Sequence, residues 1–177
     1  MLYFSARIRS TEKNMKPKFR GALLVVLPIS LFFTTRAAQK ESMTPHHAAG
    51  TFEVKISHLD PAFKAEDNSI GRMSIDKQFH GALEATSKGE MLTGMGTIKG
   101  SGGYVAIERV TGTLDGRAGT FILQHTGTMQ NGVYHLNVVV VPDSGTAQLA
   151  GLQGTMEIII KDGKHSYDFA YTLSAQK

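Results

Sequence analysis

Glu108 and His125 are the ionisable side chains whose placement most invites chemistry. They lie on either side of Asp115-Gly116, within a run of alternating, β-branched-rich residues from Tyr104 to Met129. Asp-Gly between two such runs specifies a two-residue hairpin turn, because both turn positions must reach positive φ. Folding the chain there sets Leu114 opposite Arg117, Val110 opposite Phe121, Glu108 opposite Leu123, Ala106 opposite His125 and Tyr104 opposite Gly127. Strand side chains alternate with period two, so these residues share one face, and Glu108 and His125 become diagonal neighbours. A carboxylate tuned by an imidazole can act as general acid or base in an isomerase, a cyclase or a carboxylate-dependent hydrolase. The same pair serves equally well as a structural group, since a carboxylate among Ile107, Val110 and Leu123 is costly if buried alone.

The other face of this hairpin carries Val105, Ile107, Arg109 and Thr111 with Ile122, Gln124 and Thr126. Both faces are mixed. The face with Tyr104, Glu108, Phe121, Leu123 and His125 is assigned to the interior, because it holds the bulkier aromatic surface and the ionisable pair. These five are the candidate ligand-binding residues, with Glu108 and His125 the catalytic candidates. A one-residue slip in register would reverse the assignment.

A second hairpin at Asp162-Gly163 places Met156, Ile158 and Ile160 with Phe169, Tyr167 and His165, and sets Glu157 against Asp168 on the opposite face. Two carboxylates in contact can share a proton and serve hydrolysis. The apolar character of the other face favours a solvated reading of the pair, with Lys161 and Lys164 nearby. His46-His47 is a weak metal signal, since adjacent histidines without a scaffold supply too few ligands. Met73, Met91, Met95, Met129 and Met156 read as core filling rather than as copper ligands. The glycine-rich Gly100–Gly103 leads into a strand, so it reads as a loop. The chain lacks a Gly-x-Ser-x-Gly elbow, a phosphate loop, His-Glu-x-x-His and a dinucleotide fingerprint. Neither cofactor nor metal is expected.

The elements that must hold these residues are almost all strands. Thr51–Ser57 alternates, and an acidic, proline-containing loop follows from Asp60 to Asn68. Ile70–Ala85 reads as one long or broken strand with Gly81 as a bulge, and Lys88-Gly89 as a turn into Met91–Thr97. After the central hairpin come Val133–Val141, a stop at Pro142-Asp143-Ser144-Gly145, then Thr146–Leu152, Thr155–Ile160 and His165–Leu173. Eight to ten strands with short connections and no credible helix after the leader predict an all-β, antiparallel meander closed as a barrel or packed as a sandwich.

Before the strands stands a leader. Lys16, Lys18 and Arg20 precede an apolar run from Gly21 to Phe33, which ends near Thr35-Arg36-Ala37. This is the pattern of a secretory signal peptide over residues 1–37, with Met15 an alternative start. The run falls short of the roughly 20 apolar residues a span needs, so no stable membrane span is expected after cleavage. Residues 38–50 are small and polar and read as a flexible linker, leaving 51–177 as a single domain. Of the 19 basic residues seven precede Ala38, and of the 15 acidic residues one does, which leaves 12 against 14 and a net of −2. The basicity belongs to the leader, and nucleic-acid binding is not expected. The chain has no cysteine, which excludes a thiol nucleophile, thiolate metal sites and disulfide support for an exported domain.

The blocks SKGEML (Ser87–Leu92), GYVAIERVTGTLDGRAGTFILQHTGTM (Gly103–Met129), VVPDSGTAQLAGLQGTM (Val140–Met156) and DGKHSYDFAYTL (Asp162–Leu173) resemble an uncharacterised bacterial family of unknown function. That family is grouped with the allene oxide cyclase-like β-barrels. The resemblance covers nearly all of Gly50–Leu173 and implies an up-and-down, lipocalin-like barrel of about eight strands with a central cavity. It brings no catalytic set, and a shared fold does not carry a reaction. The expected protein is an exported barrel, periplasmic or secreted, that binds a small, mostly apolar molecule. A carboxylate-dependent enzyme in the same cavity and a structural domain that forms homo-oligomers are the alternatives.

Overall fold

Eight antiparallel strands follow one another around a closed barrel, with the last strand pairing the first. They are β1 (His46–Leu59), β2 (Ile70–Gly81), β3 (Leu83–Met95), β4 (Gly102–Leu114), β5 (Arg117–Gln130), β6 (Val133–Val140), β7 (Leu152–Lys161) and β8 (Lys164–Leu173). The computed structural model describes residues 44–60, 63, 66 and 69–174. The expected leader lies outside them, as do residues 38–43 of the expected linker and parts of the acidic loop.

Turn chemistry sets the register. Asp115-Gly116, Asn131-Gly132 and Asp162-Gly163 all take positive φ at both positions, which matches the right-handed twist of the flanking strands. The β4–β5 pairs are those read from the sequence, Leu114 with Arg117 through Tyr104 with Gly127. The β7–β8 pairs likewise include Glu157 with Asp168 and Ile160 with His165. Closing the sheet removes its free edges, which suits a chain held together without disulfides.

Four expectations are corrected. Gly81 ends a strand instead of bulging one: at φ 110° it turns β2 into β3, and Ala82 N–H donates to the Ala49 carbonyl. Lys88-Gly89 is no turn but the middle of β3, with Lys88 paired to Asp76 and Arg109 and Gly89 to Ile75 and Glu108. Thr146–Leu152 is not one strand. A one-turn 3₁₀ helix occupies Ala147–Leu149, and β7 begins at Leu152. Residues 46–50 of the expected linker are strand, because β1 starts at His46 and pairs β8 from there.

The barrel has two dissimilar ends. At one, which we call the closed end, Phe79, Leu83, Leu114, Phe121, Leu149, Leu152, Phe169 and Tyr171 are fully buried. The 3₁₀ turn supplies Leu149 as a plug. It is tied down along β5, where Ile122 N–H donates to Ser144 Oγ at 3.0 Å and Thr120 N–H to Thr146 Oγ1 at 3.0 Å. At the other, open end the inward positions reach solvent: Ile56, Met95, Tyr134 and Ile160 are all at least half exposed.

Candidate functional site

Where the closed half stops, the barrel interior turns polar over one short layer. Glu108, on β4, is fully buried and lies between β2, β3 and β5. Its Oε2 accepts from Lys77 Nζ at 2.7 Å, and its Oε1 accepts from the Ser87 hydroxyl. His125 Nε2 stands 3.0 Å from the same Oε2, but its direction misses the oxygen, and it makes no aligned hydrogen bond. Room for the carboxylate comes from Gly89. A Cβ there would come within 2.8 Å of the Glu108 Cα and 2.4 Å of the Ile107 carbonyl oxygen.

Each partner arrives by ordinary strand alternation. Lys77 occupies an inward position of β2 between Ile75 and Phe79, and Ser87 is its cross-strand partner on β3. The ammonium lies over two rings, 5.2 Å from the centre of Phe52 and 5.5 Å from that of Phe79. Such placement offsets part of its desolvation.

Burial by itself would raise the Glu108 carboxyl. The close approach of His125 and the hydrogen bond and charge of Lys77 outweigh it and bring the group down to about 2. Glu108 is therefore held as a carboxylate, with both oxygens engaged. It has no proton to donate near neutrality, and so stable a carboxylate makes a weak base.

Above this layer, toward the open end, is a cavity of about 470 Å³. Its wall is mainly apolar, with Phe52, Val54, Ile75, Met91, Met129, Leu136 and Ile158 among the lining residues. Polar groups on it are Lys77, Thr93, Tyr104, His125, Thr128, Tyr134 and His165, and no carboxylate lines it among the described residues. Tyr104 is held against the wall by Gly127 across the β4–β5 pair, where a Cβ would come within 2.3 Å of the tyrosine ring. Burial first, then Tyr134 and the Glu108 charge, push the Tyr104 hydroxyl above its ordinary value. It stays a neutral donor or acceptor.

The face chosen from the hairpin does point inward, since Ala106, Glu108, Val110, Phe121, Leu123 and His125 are buried while Val105 and Ile107 are half exposed. The five candidates nevertheless divide. Tyr104 and His125 line the cavity, and Glu108 sits behind His125, 3.0 Å from its Nε2. Phe121 and Leu123 are corrected: they belong to the packed closed half, two and one inward steps beyond His125, and do not reach the cavity wall. Lys77 and Ser87 were not singled out from the sequence. The signal for Lys77 was a lone charge at the inward phase of Met73, Ile75 and Phe79.

Other candidates fall outside the cavity. Asp168 engages His47 at 2.8 Å on the outer surface, and Glu157 is exposed, so the two carboxylates form no enclosed dyad. His46 stacks on Tyr171 with ring centres 5.4 Å apart. Of the methionines, Met91 and Met156 are buried, while Met95 is at the exposed rim. Among the described residues no three His, Asp or Glu side chains converge as a metal site.

Comparison with known proteins agrees with this architecture. Residues 48–171 match the model of the family described as protein of unknown function, DUF3224. A crystal structure of a protein with unknown function from that family, from Shewanella oneidensis, is 45% identical. The match covers 75% of this chain and 99% of the other, with a TM-score of 0.71. No curated protein matches the chain. The chain belongs to the DUF3224 family.

Proposed function

We propose that this DUF3224 barrel is an exported binding protein that holds one small, mostly apolar molecule in its cavity. The observation that carries the proposal is the pairing of a closed, fully packed half with an open half of about 470 Å³ lined chiefly by apolar side chains. A cavity of this size, mostly apolar with a few convergent polar groups, is the usual form of a small-molecule site. Small closed barrels hold such ligands at their mouths. Ile56, Met95, Tyr134 and Ile160 ring the entrance, so an apolar molecule meets an apolar approach. Export rests on the basic and apolar pattern before Ala38.

Turnover is the weaker reading for this cavity. The carboxylate nearest to it is ionised and fully engaged, and among the described residues no carboxylate lines the wall.

Native mass spectrometry of the protein purified from its exported form, followed by solvent extraction, tests the proposal. A stoichiometric, mostly apolar molecule released on extraction is the expected result. A cavity that stays empty in the native host and takes up no apolar probe would overturn it. The same spectrum reads the oligomeric state.

A further inference from the structure

The polar groups at the bottom of the cavity are arranged for a particular kind of ligand head. Among the described residues Glu108 is the only acceptor of formal charge near the floor, and its two oxygens are taken by Lys77 and Ser87 and approached by His125. Lys77 is different. Its side chain is 5% exposed and its ammonium carries three N–H donors, yet its one hydrogen bond among the described residues goes to Glu108. Its other near neighbours are the faces of Phe52 and Phe79. His125 Nε2 is likewise buried and unsatisfied. Both side chains belong to the cavity wall. Buried donors without acceptors cost free energy, and that cost is recovered when a ligand brings the missing acceptor.

We infer that the cavity takes an apolar molecule with a single neutral acceptor head, of the carbonyl class, seated against Lys77 and His125. The inference deepens the binding reading above and rests on it. Neutrality follows from charge: Glu108 already balances Lys77, so a second carboxylate placed there would be buried beside the first and would need a protonated His125 as its counter-charge. The wall above offers a chain or ring system apolar contact out to Met129 and Ile160 at the mouth. At roughly 30 Å³ for each water-sized unit, the cavity holds about fifteen of them, the scale of a medium-length carbonyl compound.

The test uses the full chain with three probes of equal carbon number: 2-decanone, decanoate and decane. Binding is followed by ¹⁵N–¹H spectra, and the bound ketone by its infrared C=O stretch. The expected result is that 2-decanone binds on the order of tenfold more tightly than decane, with the stretch shifted to lower frequency. The double variant Lys77→Met/Glu108→Gln removes the donor together with its counter-charge, so no lone charge is left buried. With His125 still in place, it should bring the ketone toward the level of decane and reduce the shift. Decane binding as well as 2-decanone, with an unshifted stretch, would overturn the head and leave the binding cavity standing. Decanoate binding tightest would overturn the neutrality of the head. Binding of none of the three would overturn both the head and the cavity reading. The stretch in the unsubstituted protein decides the matter even if the double variant does not fold.

Discussion

The closed and open halves of the barrel are built from the same eight strands with the same alternation, yet one is solid and the other hollow. The difference lies in what each strand places at its inward positions. In the closed half these are Phe79, Leu83, Leu114, Phe121, Leu152 and Phe169, with Leu149 plugging the end from the 3₁₀ turn. In the open half β4 and β5 contribute Gly103 and Gly127 to the cavity wall, and no segment among the described residues covers the mouth. An eight-stranded barrel is just wide enough for side chains to fill it or for one ligand to take their place. This chain does each at a different end. The layer of Glu108, Lys77, Ser87 and His125 marks the boundary.

The largest effect should come from opening the packed half. Phe121 is 1% exposed and stacks on Phe169 with ring centres 5.8 Å apart. Phe121→Ala should lower unfolding stability by about 3–5 kcal/mol, read by urea denaturation, with no change in ligand uptake. A small loss, or a loss of uptake, would mean the two halves are not separate.

The boundary layer gives the next effect, and its sign is fixed by Glu108. Its carboxyl lies at about 2 in the folded protein, below the ordinary 4.5. A group lowered by folding contributes stability that is complete above its unfolded value and drains away as the pH falls toward its folded one. Stability should therefore drop by about 3 kcal/mol between roughly pH 5 and pH 2 from this group. Glu108→Gln should flatten that part of the profile. An unchanged acid slope in the variant would assign the loss to other carboxylates.

How far this division could be read from sequence depends on where the turns are explicit. Asp115-Gly116 and Asp162-Gly163 fixed the registers of β4–β5 and β7–β8, and with them the inward face carrying Glu108 and His125. Gly81 offered no such signal, because a glycine within alternating residues reads as a bulge as readily as a turn. With β2 and β3 merged, the pairing of Lys77 with Ser87 was invisible, and half the boundary layer went with it. Gly89 misled for a related reason. Its absent side chain makes space for Glu108 across the sheet, and nothing local distinguishes that from a turn. Phe121 and Leu123 were placed on the correct face but at the wrong depth, since alternation gives the side of a strand and says nothing of the distance along the barrel axis. The 3₁₀ turn at Ala147–Leu149 is held by long-range bonds to β5, which local pattern cannot anticipate.

A smaller effect should come from the tie at the closed end. The Tyr171 hydroxyl donates to Asp115 Oδ2 at 2.5 Å, joining β8 to the β4–β5 turn. Burial, followed by Asp115, pushes that hydroxyl up to about 12. Tyr171→Phe should cost about 1–2 kcal/mol, measured as a lowered denaturation midpoint, and leave the cavity unaffected. A cost as large as that of Phe121→Ala would make the tie, rather than the packing, the main support of the closed end.

The smallest effect is expected at the mouth, and it is the sharpest check on the contrast. Ile160 shares the inward phase of β7 with Met156, yet Met156 is 2% exposed and Ile160 is 66% exposed. An isoleucine already in water has little apolar burial to lose, so Ile160→Ser should leave unfolding stability within about 0.5 kcal/mol. Met156→Ala, only four residues earlier on the same strand face, should cost about 2–5 kcal/mol. The two positions share a strand, a face and a hydrophobic residue type, so depth along the barrel is the principal difference between them. A loss at Ile160 comparable to that at Met156 would mean that the mouth is covered in solution, by a second copy of the chain or by a bound molecule. The open half would then be a packed one whose partner is supplied from outside.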